Sequence, residues 1–427
     1  MNQTRGSLLK AEYHPALERL TTGAGTPPVA PENAGLLAKC RSSSGLAAMG
    51  AVYDALERPF SARRPVVGVL CNFVPEEFIL AVGAIPLRLC SQDSACAAAG
   101  DRSLPADVCP LIKSIAGSCF NGLPARLDLI VIPATCDGKI KLTELLNLVS
   151  DTFLLDLPRN AAYPERTDLV TRPFEELWQH LKQRYKPNAG RRELLQACAL
   201  TNRRTNAFRA LFEFRAAYPG AINAFDYFAL ASASNFLEPE AWISATEAVL
   251  AEARKHRPTR MPGHRILLAG SPIMFPNFKL LELLQEADCD VAADLLCSAY
   301  GRLYDPVVVD EETESALIRA IALRAVAPSL CPCYPGINKS TDRMLDLVAE
   351  FRLDGVIYHQ LRLCQVFDLQ AAALRQILKD RTIPALFLKT DLGREDRGQL
   401  KTRIEAFLEL MKPRPDAELE DIQKSHP

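Results

Sequence analysis

The sequence carries almost no net charge: 50 Lys and Arg stand against 51 Asp and Glu, a formal charge of −1. It also has no dense basic run with interleaved aromatics, so neither nucleic acid nor an anionic membrane surface finds an electrostatic footprint. No apolar run approaches the roughly 18 residues that span a bilayer. The first twenty residues, MNQTRGSLLKAEYHPALERL, lack the apolar centre of a secretory signal. These absences point to a cytoplasmic protein that binds neither membrane nor nucleic acid. GxxxxGK[ST], GxGxxG and GxSxG are all missing, so ATP, NAD and serine-hydrolase chemistry have no motif to rest on. Histidines are few, and the six are scattered. Only His359 falls near a cysteine, Cys364.

What the chain does have is cysteine, thirteen of them. A reducing cytosol does not sustain a disulfide framework of that size. Buried thiols and metal or cluster ligation are the remaining uses, and position has to separate them.

A chain of 427 residues is too long for one simple core and suits two domains plus an extension. Residues 1–60 read as a helical N-terminal extension with a Pro/Gly-rich break, packed on the first domain. Residues 61–171 alternate strand and helix: VVGVL, AIPLRL, DLIVIP (128–133) and TFLLDLP (152–158), with helices expected over Val108–Phe120 and Lys141–Val149. Residues 172–262 form a helical connecting block. A second α/β unit, 263–413, starts with HRILLAGSPI and continues through DGVIYHQL (354–361) and IPALFLKTD (383–391). Residues 414–427 are a polar tail. Strands alternating with helices of this length give parallel sheets covered on both faces. The expectation is α/β, with two Rossmann-like or flavodoxin-like domains.

The first unit sets the pattern. An apolar run, Val66 to Leu70, stops at Cys71, and Pro75-Glu76-Glu77 then opens a helix, with the proline and the acids at its favourable end. A cysteine thus sits where a parallel strand gives way to a helix, the usual ligand position of open α/β sheets. Cys109 opens a later helix and Cys136 follows the third strand. In the second unit Cys297 ends a strand, Cys331 or Cys333 precedes a helix, and Cys364 follows DGVIYHQL. Gly270-Ser271 stands where Cys71 would be expected to repeat.

Thiolates are the soft ligands of zinc, copper(I) and iron–sulfur clusters. Structural zinc usually draws on close CxxC pairs. Here the closest pair is Cys331/Cys333, and the others lie tens of residues apart, which suits a cluster held between sheet ends with one sulfur from each loop. Cys40, Cys90, Cys96, Cys119, Cys198 and Cys289 read as buried or incidental thiols, with Cys96 in an Ala-rich loop. Glu77, Asp137, Lys139 and Lys113 are the candidates for proton donors or supporting contacts.

The blocks GVLCNFVPEEFILAVGAIPLRL, DVCPLIKSIAGS, DLIVIPATCDGKIKLTELL, FLLDLP, DGVIYHQLRLC and TRIEAFLEL resemble, in order, the signature of the 2-hydroxyacyl-CoA dehydratase / benzoyl-CoA reductase D-component family. The likeness runs over about residues 60–412. It implies two α/β domains around an iron–sulfur cluster, and a separate ATP-hydrolysing iron–sulfur activator that delivers low-potential electrons. Dehydratase subunits of the family bind one 4Fe-4S cluster through three cysteines, which correspond here to Cys71, Cys109 and Cys364. The double-cubane branch is homodimeric and uses six. The additional three correspond to Cys136, Cys297 and one of Cys331/Cys333, and this branch is the closer match. The resemblance therefore implies a reductase holding a double-cubane cluster and acting on a small substrate. The alternatives are a heterodimeric dehydratase subunit with a single 4Fe-4S cluster, and a non-catalytic electron-storage protein.

Overall fold

The computed structural model describes residues 31–57, 63–90, 92–120, 127–158, 167–255, 263–326, 330–334 and 337–411. Residues 1–30 of the expected extension and the polar tail lie outside this set. The described residues form an α/β fold with two four-stranded parallel sheets.

The first sheet contains β1 (Val66–Val69), β2 (Ile85–Arg88), β3 (Leu129–Pro133) and β4 (Thr152–Leu155), in the order β2-β1-β3-β4. The second contains β5 (His264–Gly270), β6 (Cys289–Asp294), β7 (Gly355–Leu361) and β8 (Ala385–Thr390), in the order β6-β5-β7-β8. The two orders are the same. So is a detail of strand alignment: Asp128 accepts from Val66 N at 2.8 Å, and Asp354 accepts from Arg265 N at 2.7 Å. Each aspartate precedes the third strand of its sheet and fixes the start of the first. Continuous burial of β1, β3 and β7 follows from helices covering both faces.

Among the described residues two helices precede the first sheet, α1 (Pro31–Ser43) and α2 (Met49–Glu57). Between its strands run α3 (Glu76–Ala81), α4 (Ser94–Gly100), α5 (Pro110–Phe120) and α6 (Asp137–Leu146). The connecting block is helical, as expected: α7 (Thr167–Tyr185), α8 (Arg191–Ala217), α9 (Ala224–Ala233) and α10 (Pro239–Ala253). The second half adds α11 (Lys279–Glu286), α12 (Tyr300–Leu303), α13 (Glu314–Val326), α14 (Ile337–Glu350), α15 (Gln365–Asp380) and α16 (Arg397–Leu410).

Helix α8 is the shared column. Leu194, Ala197 and Cys198 near its start belong to the core under the first sheet, whereas Phe208, Leu211 and Phe212 belong to the core of the second. The described part of the expected extension, α1 and α2, packs on the second core rather than on the first domain as expected. Leu37, Met49 and Tyr53 join the second core, Lys39 reaches Glu282 of α11, and Tyr53 donates to Asp226 of α9 at 2.6 Å. Local periodicity shows which face of a helix is apolar but not which core receives it.

The Ala-rich stretch around Cys96 is helix α4 rather than loop. Asp93 caps it, accepting from Ala95 N at 2.7 Å and Cys96 N at 3.1 Å, and alanine is the best helix former. Strand β6 ends at Asp294, three residues short of Cys297, because the Asp294 carboxylate turns back to accept from Leu296 N and Tyr300 N. Helix α6 begins at Asp137, four residues before the expected Lys141.

Candidate functional site

Six of the seven cysteines singled out above are only partly covered, and Cys71 is buried. The six set aside are all buried. The seven face one crevice between the carboxyl ends of the two sheets. Cys71 follows β1, and Cys136 follows the neighbouring β3 as the N-cap of α6. Cys109 precedes α5, and Cys364 follows β7 as the N-cap of α15.

The thiols meet in a connected set. Cys109 and Cys364 are hydrogen-bonded to each other, as are Cys136 and Cys333, and Cys333 also contacts Cys331. Lys139 stands among Cys71, Cys136, Cys331 and Cys333, and Cys297 lies beside Cys71. Backbone N–H groups point at the sulfurs: Phe73 at Cys71, Leu111 and Ile112 at Cys109, Lys139 at Cys136, and Phe367 at Cys364. Helix starts favour negative charge for this reason.

Charge separates the thiols. Burial opposes ionisation of Cys71, yet Lys139 and Arg88 hold its thiol below the ordinary value. Cys109 is lowered by its bond with Cys364, and Cys364 is raised by the same bond. Burial pushes Cys297 up to about 12, helped by the neighbouring Cys71.

The halves are stitched together beside these sulfurs. Asn72 donates to the carbonyls of Cys297 and Gly301, at 2.9 and 3.1 Å, and Gln92 exchanges bonds with Pro272 O and Met274 N. The rings of Phe73 and Tyr334 lie 5.5 Å apart and tie the Cys71 loop to the Cys331/Cys333 loop. Gly270 explains why no cysteine repeats Cys71 in the second half. Its φ is +105°, and a Cβ there would lie 2.0 Å from the His359 carbonyl oxygen. The backbone of β5 is pressed against β7 where a side chain would have to stand.

A narrow cavity of about 40 Å³ reaches Cys71, Cys297 and Cys331. An outer cleft of about 1090 Å³ shares Asp305 and Arg324 with it. The cleft carries more acids than bases, including Asp168, Glu175, Asp310 and Glu311.

The other expected residues are placed as follows. Lys139 is buried, with Nζ donating to Thr135 Oγ1 at 2.8 Å. Glu77 is closed off by Arg324. Asp137 is exposed at the start of α6. Lys113 turns away to Asp101 at 2.6 Å. His359 is a core residue: burial lowers it to about 4, and Nε2 meets Thr390 Oγ1 at 2.6 Å.

Sequence reasoning missed a buried charge cluster beside Cys71. Glu76 meets Arg204 at 2.7 Å, Arg302 at 2.8 Å and Arg88 at 3.9 Å. A visible signal was the arginine closing the apolar strand IPLR.

Among the described residues no three His, Cys, Asp or Glu side chains are placed to hold one metal ion. The donor set is seven thiols, four of them met by backbone N–H groups and several by Lys139, and thiolates of this kind are the ligands an iron–sulfur core takes.

The family described as "2-hydroxyglutaryl-CoA dehydratase, D-component" matches residues 71–411, and the chain belongs to it. Its class is thus the dehydratase components with paired α/β sheets. The Escherichia coli protein named "Putative dehydratase subunit YjiM" is 27% identical over 355 residues, covering 81% of this chain and 91% of that protein. The (R)-phenyllactyl-CoA dehydratase beta subunit of Clostridium sporogenes is 19% identical, with 81% and 91% covered. The (R)-2-hydroxyglutaryl-CoA dehydratase subunit beta of Acidaminococcus fermentans is 21% identical, with 81% and 92% covered. Among the described residues no helix is long and apolar enough to cross a membrane.

Proposed function

We propose that the chain is the substrate-reducing component of a two-component iron–sulfur system, homodimeric and cytoplasmic, that holds a double-cubane cluster in the inter-sheet crevice. The observation that carries this reading is the convergence of seven thiols from both halves. A single 4Fe-4S cluster uses at most four. Cys71, Cys109, Cys136, Cys297, Cys364 and one of Cys331/Cys333 would be the ligands. When bound, such a cluster supplies electrons one at a time at low potential, received from an ATP-hydrolysing activator.

The chain's own residues do the rest. Phe73, Tyr334, Leu295 and Phe367 keep water from the sulfurs. Lys139 bears protons at Nζ beside Cys71 and Cys136. A small substrate approaches through the outer cleft and passes Asp305 and Arg324. Burial raises the Asp305 carboxyl above its ordinary range at the neck of the route. The acids of the cleft repel a phosphorylated carrier such as coenzyme A, which favours a small uncharged substrate.

A second reading, favoured by the names of the relatives, is a dehydratase subunit with one 4Fe-4S cluster on Cys71, Cys109 and Cys364, paired with a related subunit. Anaerobic isolation with iron and sulfide analysis separates the two: about eight irons per chain against about four. Cys136→Ser is expected to halve or abolish the iron, and unchanged iron would reassign Cys136 to packing. Cys331→Ser and Cys333→Ser, made separately, identify which of that pair is the ligand. A loaded protein that turns over nothing when an ATP-driven reductant is supplied would be an electron store.

A further inference from the structure

The cluster of charge beside Cys71 is unbalanced. One carboxylate, Glu76, faces three guanidiniums, those of Arg88, Arg204 and Arg302. All four side chains are no more than 7% exposed. Three guanidiniums on one carboxylate leave an excess of two positive charges, and Lys139, which donates to the Thr135 hydroxyl, adds a third. Arg302 is otherwise held by neutral groups, Ser234 and Asn235. Arg88 bonds to Asn72 Oδ1. Arg88 Nε and Arg204 Nε are buried with no hydrogen-bond partner among the described residues.

Buried cations are held only where negative charge or hydrogen bonds compensate them. The cluster opens toward Asn72, Cys71 and Cys297, which line the narrow cavity together with Arg302. The missing anion therefore belongs on the thiol side.

We propose that Arg88, together with Arg302 and Lys139, is a positioning residue whose charge holds an anionic thiolate-bound core in the crevice and raises its reduction potential, while Glu76 limits how far. The inference rests on the reading that the crevice holds such a core. A core that takes up an electron becomes more negative, so a fixed positive charge nearby favours the reduced form. Arg88 acts through this charge and does not itself touch the substrate.

The test compares Arg88→Met with Arg88→Lys in the full chain. Both lose the guanidinium contacts, and they differ by one charge. In the metal-free protein the excess cation is a burden, so Arg88→Met is expected to melt above Arg88→Lys. In the anaerobically loaded protein, EPR-monitored titration with titanium(III) is expected to place the midpoint of Arg88→Met below that of Arg88→Lys, which stays near wild type. Arg88→Met melting below Arg88→Lys, or equal midpoints, would overturn the proposal. If no iron loads in the wild-type chain, the functional reading fails by that analysis alone, and the melting order still decides whether the buried charge is in excess.

Discussion

Arg324 of α13 grips Glu77 of α3 through both carboxylate oxygens, at 2.6 and 2.7 Å, with Glu77 only 1% exposed. The pair fastens the helix that follows Cys71 to the helix that leads toward Cys331, across 247 positions of sequence. Both bonds come from one guanidinium nitrogen, Nη2, and hydrogen bonds between charged partners are among the stronger ones.

Removing Glu77 leaves the half-buried Arg324 without its carboxylate partner, at a cost of about 2 kcal/mol. Glu77→Ala is therefore expected to lower the urea midpoint strongly, with Glu77→Gln between it and wild type. If Glu77→Gln kept full stability and lost turnover, Glu77 would be a proton donor after all and not an anchor.

A second prediction concerns pH. Asp226 is buried and accepts from Tyr53 Oη at 2.6 Å and Ser44 Oγ at 2.9 Å, and burial raises its carboxyl from 3.8 to about 6. Between these values the folded chain binds a proton that the unfolded chain has lost. Folded-state stability from this group is thus greatest at low pH and falls as pH rises through about 6. Asp226→Asn, which keeps the acceptor for Tyr53, should gain on wild type by ~2 kcal/mol from pH 4 to pH 8. Stability curves at fixed temperature check this, because other titrating groups, such as His359, act on both proteins alike. Parallel curves would mean that Asp226 ionises normally.

A third prediction tests how Cys109 is positioned. Helices α4 and α5 approach so closely that a Cβ on Gly117 would lie 1.8 Å from the Cys96 carbonyl oxygen, and one on Gly100 would lie 2.1 Å from that of Lys113. Backbone cannot yield as a side-chain tip can. Gly117→Ala is expected to cost about 3 kcal/mol or more by overpacking and to push α5, with Cys109 at its start, out of place. Calorimetry measures the first effect and iron content the second. A neutral Gly117→Ala would show that the helices can separate freely.

The strand–helix alternation was legible because burial on two faces writes near-continuous apolar runs such as LIVIP, and because loops at strand ends are marked by Cys, Pro and Gly. Gly270 shows the limit of that reading. Its place in the repeat was visible from sequence, but the reason for glycine is the His359 carbonyl on another strand. The cap at Asp93 was likewise present in the sequence, yet SQDSACAAAGD reads as loop until Asp93 is seen to bond Ala95 N and Cys96 N. The packing of α1 and α2 on the second core had no local signal.

By itself, then, the sequence determined two parallel sheets with cysteines in the loops at their carboxyl ends, since those features depend on short-range periodicity and turn chemistry. Only the tertiary structure decided which sulfurs meet and what charge surrounds them. Cys136 finds Cys333, and Glu76 finds Arg302 across 226 positions. Such contacts, and the balance of buried charge that they leave, are sums over residues from both halves that crossover order and register bring together.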